Sequence, residues 1–306
     1  MNKGRKFACF FATEKGYSVL NHIIEKNEQK SIGLVVSFKE TNVRESYYER
    51  IESLCKDFSI PFFAWSDITN ELPDLISKHS ITNIVAVSWR FLLPITLNSL
   101  LKDDIIVFHD SLLPKYRGFA PTPTAVICGE TQVGVSAIFA SEDVDKGDII
   151  LQKKLDISDN EAIKSIITRQ SILMAEMFSE IIEIATNGKL TGQPQNDEKA
   201  TYSIWRNVDD CHIDWSKSAK DINNLVRAVS FPYHGAFCFM DGKKVIIEEA
   251  EVVQDLNFEI RDCGKIWAIN DGNPTIICGI GMLKILSAFD EKEEKVTFDK
   301  VRVRLT

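Results

Sequence analysis

A chain of 306 residues, 44% of them hydrophobic and 26% charged, can bury a core of ordinary globular size, and no stretch is of low complexity. Its 36 Lys and Arg against 44 Asp and Glu leave a net charge of −8, which argues against nucleic acid as a partner, since neutralising phosphates takes clustered cations. The seven cysteines are odd in number and form no CxxC pair, which argues against a disulfide scaffold or a zinc site and for a reducing, cytoplasmic setting.

In chain order, "KFACFFAT" (6–13) is a first strand, too short and too soon interrupted by Glu14 and Lys15 to be a signal peptide. "SIGLVVSF" (31–38), "IPFFAW" (60–65), "NIVAVSW" (83–89) and "DIIVFH" (104–109) are further strands, rich in β-branched and aromatic residues. Between them, "YSVLNHIIEKN", "RESYYERIESLCKDF" and "ITNELPDLISKH" carry apolar residues at helical spacing. Strand–helix alternation predicts a doubly wound, mostly parallel α/β sheet that binds ligands beyond the carboxyl ends of its strands. No GxGxxG follows the first strand, so a dinucleotide site has no support.

A helix, "PTPTAVICG", and a strand, "VGVSAIFA" (133–140), come next, then an acidic turn, "SEDVDKGD", and the strand "IILQKKLDI". "SDNE" (158–161) has the form of a capping box, worth about 1 kcal/mol, opening a long helix that stops at Asn187 and Gly188. Residues 1–190 are therefore read as one domain, the polar segment 191–203 as a linker, and 204–306 as a second domain. The second domain has one helix, "SAKDINNLVRAVS", then a "DGK" hairpin turn and short strands through "KVTFDKVRVRL" (295–305), which predicts a small OB-like barrel. Its strands offer edges for a homodimer. No apolar run is long enough for a transmembrane helix.

Chemistry concentrates at "VFHDSLLPKYRG" (107–118). His109 ends a strand, and a later turn brings Glu142, Asp143, Asp145 and Asp148. A carboxylate beside an imidazole fixes its tautomer and stabilises its cation, the makings of a proton shuttle. Asp143 and Asp148 also read simply as loop-solvating acids. Ser111 has no glycine-flanked elbow and is read as ordering the turn or meeting substrate. Lys115 and Arg117 are cations for a phosphate or a glutamate tail, or a solvated turn. Trp205 and Arg206 are candidates for a nucleotide contact. Cys211, His212 and Asp214 lack a further ligand pair to make a metal centre, so no metal is expected.

"HDSLLPKYRGFAP" with "GETQVGVSAIFASEDVDKGDIILQ", and "ATYSIWRNVDDCHIDWSKSAKDINNLVRAVSFPYHGAF" further on, resemble the folate-dependent formyltransferase family over nearly the whole chain. The nearest likeness is to nucleotide-sugar N-formyltransferases of the UDP-4-amino-arabinose type. The resemblance implies 10-formyltetrahydrofolate as donor and the amine of a nucleotide-linked amino sugar as acceptor. The alternatives are methionyl-tRNA as acceptor, or a relative that binds without turnover.

By the same resemblance His109 is the catalytic histidine and Asp145 its supporting aspartate. The donor would lie against Ser88, Trp89, Arg90 and Phe91, against Ser141, Glu142, Asp143 and Val144, and near Phe119. Ser111, Lys115 and Arg117 would face the substrate. The family's asparagine, two residues before the histidine, is here Val107, which has no side-chain donor for the formyl oxygen. Asp110 stands where the family has a small or neutral residue, and Phe119 where the arabinose-type enzyme has an arginine.

Overall fold

The computed structural model describes residues 4–41, 45–69 and 71–306. The start of the second predicted helix at Arg44, and Asn70 within the third, lie outside them. The chain forms two compact units, the first of residues 1–121, 132–155 and 167–203, the second of 122–131, 156–166 and 204–306.

The first unit is built on β1 (Phe7–Phe11), β2 (Ile32–Ser37), β3 (Phe62–Ala64), β4 (Asn83–Val87) and β5 (Ile106–His109), with helices α1 (Thr13–Glu25), α2 (Tyr48–Asp57), α3 (Trp65–Ile68) and α4 (Leu72–Lys78) between strands. In chain order a short β6 (Arg117–Gly118) and α5 (Pro121–Ile127), which belongs to the second unit from residue 122 on, precede β7 (Gln132–Phe139) and β8 (Ile149–Asp156); α6 (Ile163–Asn187), whose first four residues belong to the second unit, and β9 (Tyr202–Ser203) follow. The main sheet has the order β3-β2-β1-β4-β5-β7-β8. It is parallel from β3 to β5 and turns antiparallel at β5/β7.

The predicted parallel sheet is thus borne out, with an antiparallel addition at one side. Its physical basis is the two-residue period of a strand with both faces covered. Phe7, Cys9 and Phe11 of β1 face a cluster completed by Val19, Leu20 and Ile23 of α1 and by Met174, Phe178 and Ile181 of α6. Ala8 and Phe10 face the opposite cluster, with Leu72, Leu75 and Ile76 of α4. Phe178 packs edge-on against Phe7 and Phe11 at 5.3 and 6.0 Å, and each such buried ring contributes about 1.5–3 kcal/mol. Strand order reverses between β1 and β4, so the crevice opens beyond the ends of β1, β4 and β5.

Several element bounds differ from expectation. The predicted helix "ITNELPDLISKH" is split into α3 and α4, and Trp65 starts a helix instead of ending β3. Ser158 does not cap α6, which begins at Ile163. Half of the predicted box survives, since the Ser158 N–H donates to Glu161 Oε2 at 3.3 Å, while Glu161 Oε1 takes the Ser165 hydroxyl at 2.7 Å. Segment 191–203 is tied to the first unit: Gln193 pairs with Ile149, and β9 runs parallel to β6.

The second unit adds α7 (Ala219–Val229), capped by the Ser218 side chain, and an antiparallel sheet of β10 (Ala236–Met240), β11 (Lys243–Val253), β12 (Ile266–Asn270), β13 (Asn273–Ile277) and β14 (Met282–Phe289) in the order β10-β11-β14-β13-β12. Asp241 and Gly242 both have positive φ, as the predicted "DGK" hairpin requires. Residues 295–305 form no long strand, but Leu305 bridges Met240 and Arg304 bridges Lys265, linking the two outer strands. Among the described residues no helix is long and apolar enough to cross a membrane.

Candidate active site

His109 closes β5 with its side chain almost fully buried. It stands opposite Ser136 of β7, while Val107 pairs with Ala86 of β4 and Ile138 of β7. The chain then folds into a tight lip. Ser111 Oγ donates to the Lys115 carbonyl at 2.6 Å, and the Lys115 N–H to the Leu112 carbonyl at 3.1 Å. Ser136 Oγ donates to the Ser111 carbonyl at 2.7 Å, and Gln152 Nε2 to the Leu113 carbonyl at 3.0 Å, anchoring the lip to β7 and β8. Tyr116, in the left-handed region at φ 60°, brings its carbonyl 2.7 Å from His109 Nε2. A carbonyl only accepts, so Nε2 carries the hydrogen, and in the neutral ring Nδ1 is the nitrogen with a lone pair.

Nδ1 lies 3.5 Å from Asp145 Oδ2. Asp145 belongs to the turn between β7 and β8 and is itself left-handed, at φ 55°. Its carboxylate accepts the Gly118 N–H at 2.8 Å. Gly147, two residues on, is obligatory: a Cβ there would fall inside the Phe139 carbonyl oxygen. His109 and Asp145, 36 residues apart in sequence, thus meet as a histidine–carboxylate pair.

The flanking cations and acids are engaged with one another. Asp110 forms an ion pair with Lys15 of α1, the two side chains 22% and 8% exposed. Arg117 is fully buried, with Nε and Nη2 donating to Gln195 Oε1 at 3.1 and 2.8 Å and Nη2 to Asp197 Oδ1 at 2.8 Å. Burial opposes its charge, but hydrogen bonds to Asp197 and Tyr202 outweigh burial and raise its pKa. The expected ligand cation is therefore an internal anchor here. Ser111 is likewise buried in the lip it orders, and Lys115 alone of that trio is exposed.

Beyond β4, Ser88 is left-handed at φ 52° and turns the chain into Trp89, Arg90 and Phe91. These meet Phe10, Phe38 and Trp65 in an aromatic wall: Trp89 lies 5.1 Å from Phe10 and 5.2 Å from Phe38, and Phe91 stacks on Trp65 at 5.7 Å. Arg90 sits over the Phe38 ring and 3.6 Å from Glu40, whose pKa burial raises against the pull of that cation. The Trp89 indole nitrogen is buried without a hydrogen-bond partner. Phe91 remains 40% and Phe119 60% exposed. Ser141, Glu142, Asp143 and Val144 are exposed around the Asp145 turn, with Asp143 paired to Lys146 at 2.9 Å.

Sequence reasoning missed Lys15, Gln195 and the ring wall of Phe38 and Trp65. The wall had a signal, because Phe38 and Trp65 are the last residues of predicted strands, at their carboxyl ends. Gln195 had none, its partners lying 48 to 78 residues away. Trp205 and Arg206 lie in the second unit, where Arg206 Nη2 reaches the Asp210 carbonyl at 3.3 Å. Among the described residues no group of three His, Cys, Asp or Glu could hold a metal ion.

Residues 6–182 match the formyl transferase family, and residues 207–301 match the formyl transferase C-terminal domain. Over 286 residues, 92% of this chain and 88% of the relative, the sequence is 30% identical to a methionyl-tRNA formyltransferase of Caldanaerobacter subterraneus subsp. tengcongensis. The fold is similar to that of WlaRD, a sugar 3N-formyl transferase solved in the presence of dTDP and 5-N-formyl-THF. That likeness has a TM-score of 0.68 at 17% identity, over 92% of this chain and 97% of that one. HypX from Aquifex aeolicus in complex with tetrahydrofolic acid is similar at a TM-score of 0.66 and 18% identity, over 96% of this chain and 45% of HypX.

Proposed function

The chain belongs to the formyl transferase family, and from that premise we propose that it moves a formyl group from 10-formyltetrahydrofolate to the amine of a nucleotide-linked amino sugar. One observation carries the reading: at the mouth of the crevice His109 has Nε2 committed to a carbonyl and Nδ1 turned to the Asp145 carboxylate. The donor fits the neighbouring wall. A flat bicyclic ring needs aromatic surface, and Trp89 and the half-exposed Phe91 would offer it. Ser88 to Phe91 and the 141–145 turn would hold it.

When bound, the donor supplies an activated formyl carbon for the amine to attack. His109 Nδ1 takes up the proton that the amine loses, and the Asp145 carboxylate stabilises the imidazolium so formed. Nδ1 then releases the proton to the departing nitrogen. Val107 contributes no hydrogen bond to the formyl oxygen, so that stabilisation comes from other groups or is weak.

The choice of acceptor rests on charge. A net charge of −8 suits a compact nucleotide-linked sugar better than a tRNA, whose backbone is held by clustered cations. The 30% identity to a methionyl-tRNA formyltransferase favours a second reading, with methionyl-tRNA as acceptor. The deciding experiment offers 10-formyltetrahydrofolate with UDP- and dTDP-linked amino sugars and, separately, methionyl-tRNA, and reads the gain of one formyl group by mass. Formylation of a sugar supports the proposal, and formylation of tRNA alone replaces it. Donor binding without transfer to any acceptor would leave a binding protein. His109→Ala should abolish turnover, and unchanged turnover would remove His109 from the mechanism.

A further inference from the structure

The geometry points to Gln195, in the polar segment 191–203, as the residue that positions Asp145. This inference rests on the reading of His109 and Asp145 as the working pair. A glutamine amide has two N–H donors and an oxygen with two lone pairs. Both donors are used on the turn: Nε2 donates to the Asp145 carbonyl at 2.7 Å and to the Gly147 carbonyl at 2.8 Å. The oxygen takes both bonds from the Arg117 guanidinium. The orientation is thereby fixed, because a flipped amide would set its oxygen against two carbonyls and its NH2 against a cation.

The arrangement grips Asp145 at both ends. Arg117 holds Gln195, which holds the Asp145 backbone, and the next residue, Gly118, donates its N–H to the Asp145 carboxylate. Asp145 is a non-glycine residue in the left-handed region, and such a backbone persists where its surroundings over-determine it. Gln195 supplies that determination at the backbone. Gly147 keeps the same turn tight against Phe139. The hydrogen bonds of Gln195 run to Arg117 and to the backbone carbonyls of the turn, and none runs to His109 or to the Asp145 carboxylate. The effect of Gln195 is to hold the carboxylate where His109 Nδ1 meets it, and misplacing such a group by about 1 Å can cost about a hundredfold in rate.

Gln195→Glu and Gln195→Ala separate the two halves of this clamp. Glutamate still accepts the Arg117 fork but has no N–H for the turn, so it keeps the anchor and loses the grip. Both variants are expected to lower kcat about 10- to 100-fold, with KM for 10-formyltetrahydrofolate within about threefold, measured with whichever acceptor of the panel is formylated. Hydrogen exchange of the Gly118 amide, which reports its bond to Asp145, should lose protection, while amides of β1 and β4 keep theirs. Unchanged kcat in Gln195→Glu overturns the inference, and so does a lowered kcat with the Gly118 amide still protected. If the parent protein formylates no acceptor, the functional reading fails, and the exchange measurement alone decides the role of Gln195.

Discussion

Replacing Val107 by asparagine tests the position at which the family resemblance implies a side-chain donor. Val107 is half-buried in β5, and its side chain packs on the apolar cluster that also meets Trp89, Leu93 and Ala140. Exchanging its two methyl groups for an amide removes about 1.5 kcal/mol of transfer free energy at full burial, and about 1 kcal/mol at this exposure. For a unit of this size that lowers Tm by about 2–4 °C. Against this stands the donor gained. An amide aimed at a developing oxyanion is worth about 3 kcal/mol, or about a hundredfold in kcat. The assay is tetrahydrofolate release from 10-formyltetrahydrofolate with a competent acceptor, run beside thermal melts. Val107→Ala serves as control, because it loses the methyl contacts and gains no donor. A Val107→Asn protein that melts within a few degrees of the parent yet turns over more slowly would refute the reasoning and mean that the site is built around valine.

Three further outcomes follow from the packing. Lys15→Met, Asp110→Asn and the double variant form a thermodynamic cycle. Because Lys15 is 8% and Asp110 22% exposed, loss of either partner alone should cost about 3 kcal/mol, and the double variant should recover much of it; a coupling below about 0.5 kcal/mol in urea unfolding would class the pair with ordinary surface contacts. Gly147→Ala has no room beside the Phe139 carbonyl and should destabilise the first unit by more than about 3 kcal/mol, read as a lost or strongly lowered Tm; a shift of only a degree or two would contradict the close approach. Burial penalises the thiolate and pushes Cys55, Cys238 and Cys278 up to about 12, so at pH 8 only about one molecule in ten thousand carries the reactive form at each. Maleimide labelling of native protein followed by peptide mass analysis should find exposed Cys128 modified first and these three spared, and comparable labelling of Cys238 would count against that burial.

The sequence by itself determined the sheet and where its chemistry falls. Strand signals, helical spacing between them and a histidine at a strand's end suffice, because each is a local pattern with one favourable way to bury its apolar residues. Phe7, Cys9 and Phe11 against Ala8 and Phe10 show this, one residue after another going to opposite cores. What each polar side chain does was not legible in the same way. Arg117 and Ser111 sit in a stretch that reads as ligand-facing, yet one is buried under Gln195 and Asp197 and the other closes the lip. Asp110 is unusual in sequence and ordinary in space, its charge met by Lys15 from 95 residues away. Gln195 looks like linker composition and is the clamp on Asp145. Only the tertiary structure decided these roles. A hydrogen bond or ion pair depends on atoms within about 3 Å, and no periodicity in the chain records which distant residue the fold will bring that close.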